Sequence, residues 1–238
     1  MALSTYIELQ ASVASWLNRT DLGTEIVDFI ALAESKMNHG IAINDRESVR
    51  LRVDEMKVST TYLLGTTDDS VERPVFPIPA GMLELEEIRP TGTWTGNDAA
   101  EVVTASDECH LERISHHRLK DFVAASSGSG APGYYADDPT GDNWEIWPQT
   151  SNWRVEASYW LDVPDLASNA TSEILTRYPD VYLYGALQEG ETFLKLQDTQ
   201  WRDKFIAAIN SANSSTKKAS WTGATLRTKN PYGWSRVL

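Results

Sequence analysis

The sequence predicts an α+β protein: a helical bundle built from both ends of the chain, an inserted antiparallel β domain, and an extended C-terminal arm. Three observations predict it. Apolar residues recur at helical spacing over the first 40 or so residues and again beyond Pro179. Between about 45 and 165 they alternate with polar residues, which is strand periodicity. The terminal stretch WTGATLRTKNPYGWSRVL keeps neither period. The expected segments are a helical hairpin at 1–44, the β domain at 45–170, returning helices at 171–220 and the arm at 221–238.

The first helix opens on Thr5 and Glu8, which have the T-x-x-E spacing of a capping box. Tyr6, Leu9, Val13, Trp16 and Leu17 follow on one face. Asn18–Gly23 is the break. Ile26, Phe29, Ile30, Ala33 and Met37 form a second stripe, which Gly40 ends. In the middle, Val49, Leu51 and Val53 alternate, as do Val58, Thr60, Tyr62 and Leu64; the slip in phase predicts a break at Asp54–Met56. Trp153, Val155, Ala157, Tyr159 and Leu161 face one way along a strand, and Trp144–Trp147 is expected to pair with it as a hairpin. Turns are expected at Pro77–Gly81, Thr91–Gly92, Gly128–Gly133 and Asp137–Asn143, and a short helix at Ser115–Ala125 with Leu119, Phe122 and Val123 on one face.

The returning helices hold the least ordinary stretch, LTRYPDVYLYGALQEGETFLK, residues 175–195. Pro179 and Asp180 suit a helix start. Yet Gly185 and Gly190 each cost about 1 kcal/mol in a helix interior, and Val181–Tyr184 is apolar or aromatic on every side. Asp198 is placed to cap a last helix whose stripe is Trp201, Phe205, Ala208, Ile209 and Ala212.

With 238 residues, 41% hydrophobic and 23% charged, the composition is globular. No apolar run approaches the roughly 20 residues a membrane span needs, and MALSTYIELQ lacks the basic-then-apolar order of a signal peptide. Cys109 is the single cysteine, so no internal disulfide forms, which fits a reducing cytoplasm. The net charge of −13 argues against tight wrapping of nucleic acid. Charge is also uneven. Lys204, Lys217, Lys218, Arg227, Lys229 and Arg236 follow Asp203 with no further Asp or Glu, so 204–238 carries +6 and 1–203 carries −19. A basic tail reaching an acidic partner, or an acidic face of an identical neighbour, accounts for this.

Motifs of chemistry are weak. Cys109, His110, His116 and His117 gather zinc-binding residue types but lack paired ligand spacing, and adjacent helical histidines point about 100° apart. A polar helix surface is the expected reading, with no metal and no cofactor. Asp137–Asn143 lacks the alternation and closing Glu of a calcium loop. Ser126–Gly130 lacks the first glycine of a nucleophile elbow. No P-loop, dinucleotide fingerprint or H-E-x-x-H occurs. The expectation is a non-enzyme. Nine tryptophans and nine tyrosines point to interfaces or to sugar-binding surfaces. Trp94, Trp144, Trp147, Trp153 and Trp160, all in the β region, therefore support an alternative: a carbohydrate- or receptor-binding tail component.

The order of several segments resembles the head-to-tail adaptor proteins of tailed bacteriophages, the family that includes portal-docking ring and tail-tubular proteins. These are ASVASWLNRTDLGTEIVDFIALAESKMN at 11–38, Phe76–Leu85, Ala131–Tyr135 followed by Trp147-Pro148, the stretch 175–195, and Trp221-Thr222-Gly223. The region of Cys109–His117 and the loop Gly92–Ala105 depart from the family pattern. The resemblance implies a non-enzymatic ring, usually a dodecamer, beneath the portal of a DNA-filled head. Its partners would be copies of itself, the portal protein, a tail nozzle or other tail protein, and passing genomic DNA held without specific binding. It would reside in the virion at the head–tail junction, after assembly in the host cytoplasm, with no membrane contact. A C-terminal arm would bind the portal, and Trp221, Arg227, Lys229, Tyr232, Trp234 and Arg236 are the arm residues placed to do so.

On that reading Tyr182 and Tyr184 fill bundle and ring-neighbour contacts, while Gly185 and Gly190 let another backbone approach. A helix central to a single chain's bundle gives the same pattern. An acidic body suits a DNA conduit, because a negative lumen repels phosphate and lets a duplex slide.

Overall fold

The structure, a computed structural model, describes residues 3–44, 46–63, 75–93, 110–125, 130–148, 153–196 and 200–221. In chain order the elements are α1 (Tyr6–Leu17), α2 (Gly23–His39), β1 (Ile41–Ala42), β2 (Ser48–Val49) and a 3-10 turn at Asp54–Met56. There follow β3 (Lys57–Leu63), β4 (Val75–Pro77), β5 (Met82–Thr93), β6 (Glu112–Arg113), α3 (His116–Ala125), β7 (Tyr134–Asp137), β8 (Asn143–Trp147) and β9 (Trp153–Leu161). The chain ends in α4 (Glu173–Arg177), α5 (Pro179–Phe193) and α6 (Gln200–Trp221). The protein is α+β, with helices toward both termini and a β domain inserted between them. It divides at Asp54/Glu55 and at Pro164/Asp165 into a helical unit and a β unit.

In the helical unit, local chemistry sets the helix ends. The Thr5 hydroxyl accepts from Glu8 N–H at 3.3 Å, and the Glu8 carboxylate accepts from Thr5 N–H at 3.1 Å, closing the capping box. Asn18, left-handed at φ 52°, stops α1. Gly40, at φ 102°, stops α2. Leu9 and Val13 of α1, then Ile26, Phe29, Ile30, Ala33 and Met37 of α2, are buried as their spacing predicts. Trp16 departs from its stripe and is half exposed. Phe205, Ala208, Ile209 and Ala212 bury the inner face of α6. Leu51 and Val53 are also fully buried, but outside any strand; Leu51 N–H donates to Met37 O at 3.0 Å, which ties this segment to the end of α2.

Helix α5 is the centre of this unit, in contact with α1, α2, α4 and α6. Val181, Tyr182, Leu183, Ala186 and Leu187 are all buried. Its glycines explain how three of these helices, α1, α2 and α6, come so close. A Cβ on Gly185 would stand 2.8 Å from Ala33 Cβ and 2.9 Å from Phe205 Cζ. A Cβ on Gly190 would stand 2.9 Å from Leu17 Cδ1. The groups that approach are side chains of the same chain, so the burial of this helix needs no neighbouring subunit.

The β unit holds two sheets. One is antiparallel with strand order β3-β9-β5; the other has order β4-β8-β7-β6, with only the β6–β7 pair parallel. They share one core: Ile88, Val155, Ala157 and Tyr159 from the first, Phe76, Tyr135, Trp144 and Ile146 from the second. The alternation read along Trp153–Leu161 holds, with Trp153 and Leu161 packed against that core. The expected hairpin between Trp144–Trp147 and Trp153–Leu161 does not form. Strand β8 pairs with β4 and β7, and β9 with β3 and β5, so Trp144 and Ile146 meet Val155 and Ala157 across the core instead of along a ladder. Thr91–Gly92, expected as a turn, lies within β5, where a register shift between Pro90 and Gly92 absorbs the glycine. The turn at Asp137–Asn143 does form, closing the β7–β8 hairpin with Gly141 at φ 78°. The opposite face of β7 and β8 carries α3: Ala136 and Trp147 pack with Leu119 and Ile114, and Phe122 and Val123 flank them.

The two glycines of α5 should respond differently to the same substitution. Gly185→Ala places its methyl against another helix's Cβ, which cannot yield without moving the backbone, and destabilises by about 1–3 kcal/mol despite alanine's better helix propensity. Gly190→Ala meets the far end of the Leu17 side chain, which turns aside, and is neutral within about 1 kcal/mol. Urea unfolding of both variants followed by circular dichroism checks this; equal effects would refute the packing argument.

Candidate functional site

The structure separates the four residues of α5 that the sequence marked for contact. Tyr182, Gly185 and Gly190 lie in the interior of the helical unit. Tyr184 is half buried, and its ring stacks on Trp201 of α6 at 5.9 Å between centroids and 28° between planes. Trp16 of α1 meets the same indole edge-on at 5.4 Å. Lys204, one turn after Trp201, holds its ammonium 4.1 Å from the Trp201 centroid and 6.0 Å from that of Tyr184. This strip of two indoles, a phenol and a cation joins α1, α5 and α6 at the surface. Such cation–π contacts contribute about 0.5–1 kcal/mol when exposed.

Other apolar side chains of the helical unit are left uncovered. Among the described residues, the large hydrophobic side chains exposed by 44–74% are Ile7, Trp16, Leu32, Ile43, Phe193 and Leu196. All belong to the helical unit. Single exposed leucines are ordinary, but a set gathered on one unit is the composition of a contact surface.

The arm residues Arg227, Lys229, Tyr232, Trp234 and Arg236 lie outside the described residues, as do Trp94 and Cys109. Trp221 is the last residue of α6, with its side chain outside the description. Trp144 and Trp147 are buried in the two cores on either face of β8, so neither offers a ring face to a ligand. Trp153 and Trp160 are half buried.

Two groups of titratable residues escaped the sequence reading. The first is Glu34, which lies within the apolar stripe of α2, four residues after Ile30. It is 7% exposed, and its Oε1 accepts from Leu166 N–H at 3.2 Å. Burial, opposed by that hydrogen bond and reinforced by Asp165, pushes its carboxyl up to about 7. Burial, with Glu34 nearby, also raises the Tyr182 phenol. Elsewhere in the unit Lys36 pairs with buried Glu189, linking α2 to α5.

The second group is His116, Asp138 and Glu145, whose ligand atoms lie within 4.8 Å of one another. Strand alternation puts Glu145 on the face of β8 that carries α3, and α3 begins at His116. The other histidines near it in sequence stay apart: His117 is exposed, and His110 Nδ1 lies 3.1 Å from Glu87 at the surface. In the structure His116 lies beside residues of the β7–β8 hairpin and not beside His110 or His117. The usable signal was an acidic residue inside the otherwise apolar run Trp144–Trp147.

A family model described as SU10 adaptor protein matches residues 4–229 of the chain. No curated protein sequence matches it.

Glu34 makes stability depend on pH with a definite sign. Between about 4.5 and 7 the unfolded chain has released this proton and the folded chain retains it. Its contribution is thus present below about pH 4.5 and is lost as pH rises through about 7. Glu34→Gln keeps the acceptor for Leu166 N–H and removes the charge. The variant should be more stable than the parent at pH 8 by on the order of 1–3 kcal/mol, and should match it near pH 4.5. Urea unfolding at the two pH values measures the difference.

Proposed function

Because the chain belongs to the SU10 adaptor protein family and serves as a phage adaptor, we propose that it is a structural, non-enzymatic ring subunit at the head–tail junction. Copies of the chain close a ring, for which a dodecamer is the expected size, beneath the portal. The ring carries the tail and forms part of the DNA channel. The observation that carries this reading is that, among the described residues, the exposed large apolar side chains all belong to the helical unit. A subunit of a closed ring presents two different surfaces to its two neighbours. Ile7 and Trp16 on α1, Leu32 on α2, and Phe193 and Leu196 at the end of α5 offer apolar contacts on several helices at once.

Charge supports the channel and the joint. With −19 on residues 1–203, a lumen lined by this body repels phosphate, so a duplex passes without adhering. The six cations of 204–238 suit an acidic portal surface, with Trp221, Tyr232 and Trp234 as apolar anchors of the arm.

Light-scattering mass after size exclusion tests this with the full chain and a chain ending at Ser220, each alone and mixed with the portal of the same phage. The expected result is about one adaptor per portal subunit for the full chain, and no complex for the truncated one. An intact complex after truncation would remove the arm from the joint. A full chain that ignores the portal would overturn the ring reading. Separately, Ile7→Glu with Leu32→Glu should shift the Tm of the isolated chain by no more than about 3 °C. The same double variant should abolish ring assembly, read by the same mass measurement.

A further inference from the structure

We propose that His116, Asp138 and Glu145 form a binding site for a divalent transition-metal ion, zinc or manganese, that clips the start of α3 to the β7–β8 hairpin. Three elements deliver the ligands. Leu119, fully buried against Ala136 and Trp147, fixes α3 on the sheet and so fixes His116 in its first turn. Strand β8 turns Trp144 and Ile146 toward the intersheet core, which leaves Glu145 on the α3 side. Asp138 follows β7 at the mouth of the hairpin, where its N–H donates to Asn143 O at 2.9 Å.

One pair of these side chains stands at the spacing of ligands, with the third within 4.8 Å. His116 Nδ1 stands 3.5 Å from Glu145 Oε2. Two ligands of a tetrahedral zinc ion, each about 2.0–2.1 Å from the metal, stand about 3.3 Å apart. Both ring nitrogens of His116 are shielded from solvent and have no hydrogen-bond partner. Ring nitrogens shielded in this way lack the hydrogen bonds that normally offset desolvation, and a metal bond supplies one. Glu145 is only 5% exposed, and a carboxylate at that depth is stabilised by a cation. Asp138 Oδ2 accepts from the Thr140 hydroxyl at 2.8 Å, an outer contact of the kind that orients a ligating carboxylate.

One imidazole nitrogen and two carboxylate groups select a borderline ion over calcium, which takes oxygen donors alone. Two negative ligands and a neutral histidine balance a divalent charge. A cleft of about 370 Å³, lined by Arg113, Ile114, Ser115, His116 and Asp137, opens beside the group and leaves room for water to complete the coordination. Arg113, the cation in that cleft, is engaged by Asp137.

The test uses the full chain freed of metal by chelator. Titration calorimetry with zinc chloride or manganese chloride should show one site per chain, with calcium chloride giving no heat. Saturating zinc should raise the Tm by a few degrees. His116→Ala and Glu145→Gln should each weaken binding at least about tenfold with unchanged circular dichroism. Should either core variant unfold, Asp138→Asn on the hairpin mouth carries the same expectation. His110→Ala and His117→Ala, at exposed neighbours, should bind as the parent does. Absence of zinc and manganese binding would overturn the proposal, as would binding that survives Asp138→Asn undiminished or disappears with His110→Ala. In each of these cases the group is a histidine–carboxylate contact that holds no metal.

Discussion

The helical unit depends on how closely its neighbours can approach α5. Four helices contact it, and it buries a tyrosine, two glycines and two glutamates along fifteen residues. Close packing of that kind leaves no volume for a Cβ at position 185, where Ala33 of α2 and the Phe205 ring of α6 both arrive within 3 Å of the place it would occupy. The local cost of two helical glycines, about 1 kcal/mol each, is offset by the dispersion and burial that the approach permits. Everything outside α5 in this unit follows from that contact. The stripe of α2 must face it, the small residues of α6 must line up beside it, and the exposed faces of α1 and α2 are those turned away.

A different constraint organises the β unit. Period-two alternation gives each strand two faces, and β7 and β8 use both. Trp144, Ile146 and Tyr135 serve the intersheet core, while Trp147 and Ala136 serve α3. A strand buried on both faces has no neutral place for a carboxylate, so Glu145 must find a partner on the α3 side. His116 is held where the helix begins, and Asp138 where the hairpin turns. These polar residues converge because the apolar ones around them fix the register.

The two units therefore carry different burdens. The large apolar side chains exposed among the described residues belong to the helical unit, the part whose fold is completed by close helix packing. The β unit directs its large aromatics inward, with Tyr62 against Phe76 and Trp144 as one example. The strong acidity of the chain before residue 204 acts over distances longer than any single contact, screened over about 8–10 Å at ordinary salt.

The amino-acid sequence by itself determined the class of the fold, the ends of α1 and α2, and the inward face of β9. Each of these is local: a capping box, a left-handed stop or a two-residue period acts over a few neighbours. It marked α5 as anomalous, but the reason lay in Ala33, Phe205 and Leu17, which are distant along the chain. Strand partners were decided by the tertiary structure, because an alternating strand is equally suited to a ladder or to a facing sheet; Trp144–Trp147 and Trp153–Leu161 took the second course. The same holds for His116, whose sequence neighbours His110 and His117 point elsewhere. Only the packing of α3 on β7 and β8 brings it to Glu145 and Asp138, since side chains meet by the geometry of the elements that bear them and not by their separation in sequence.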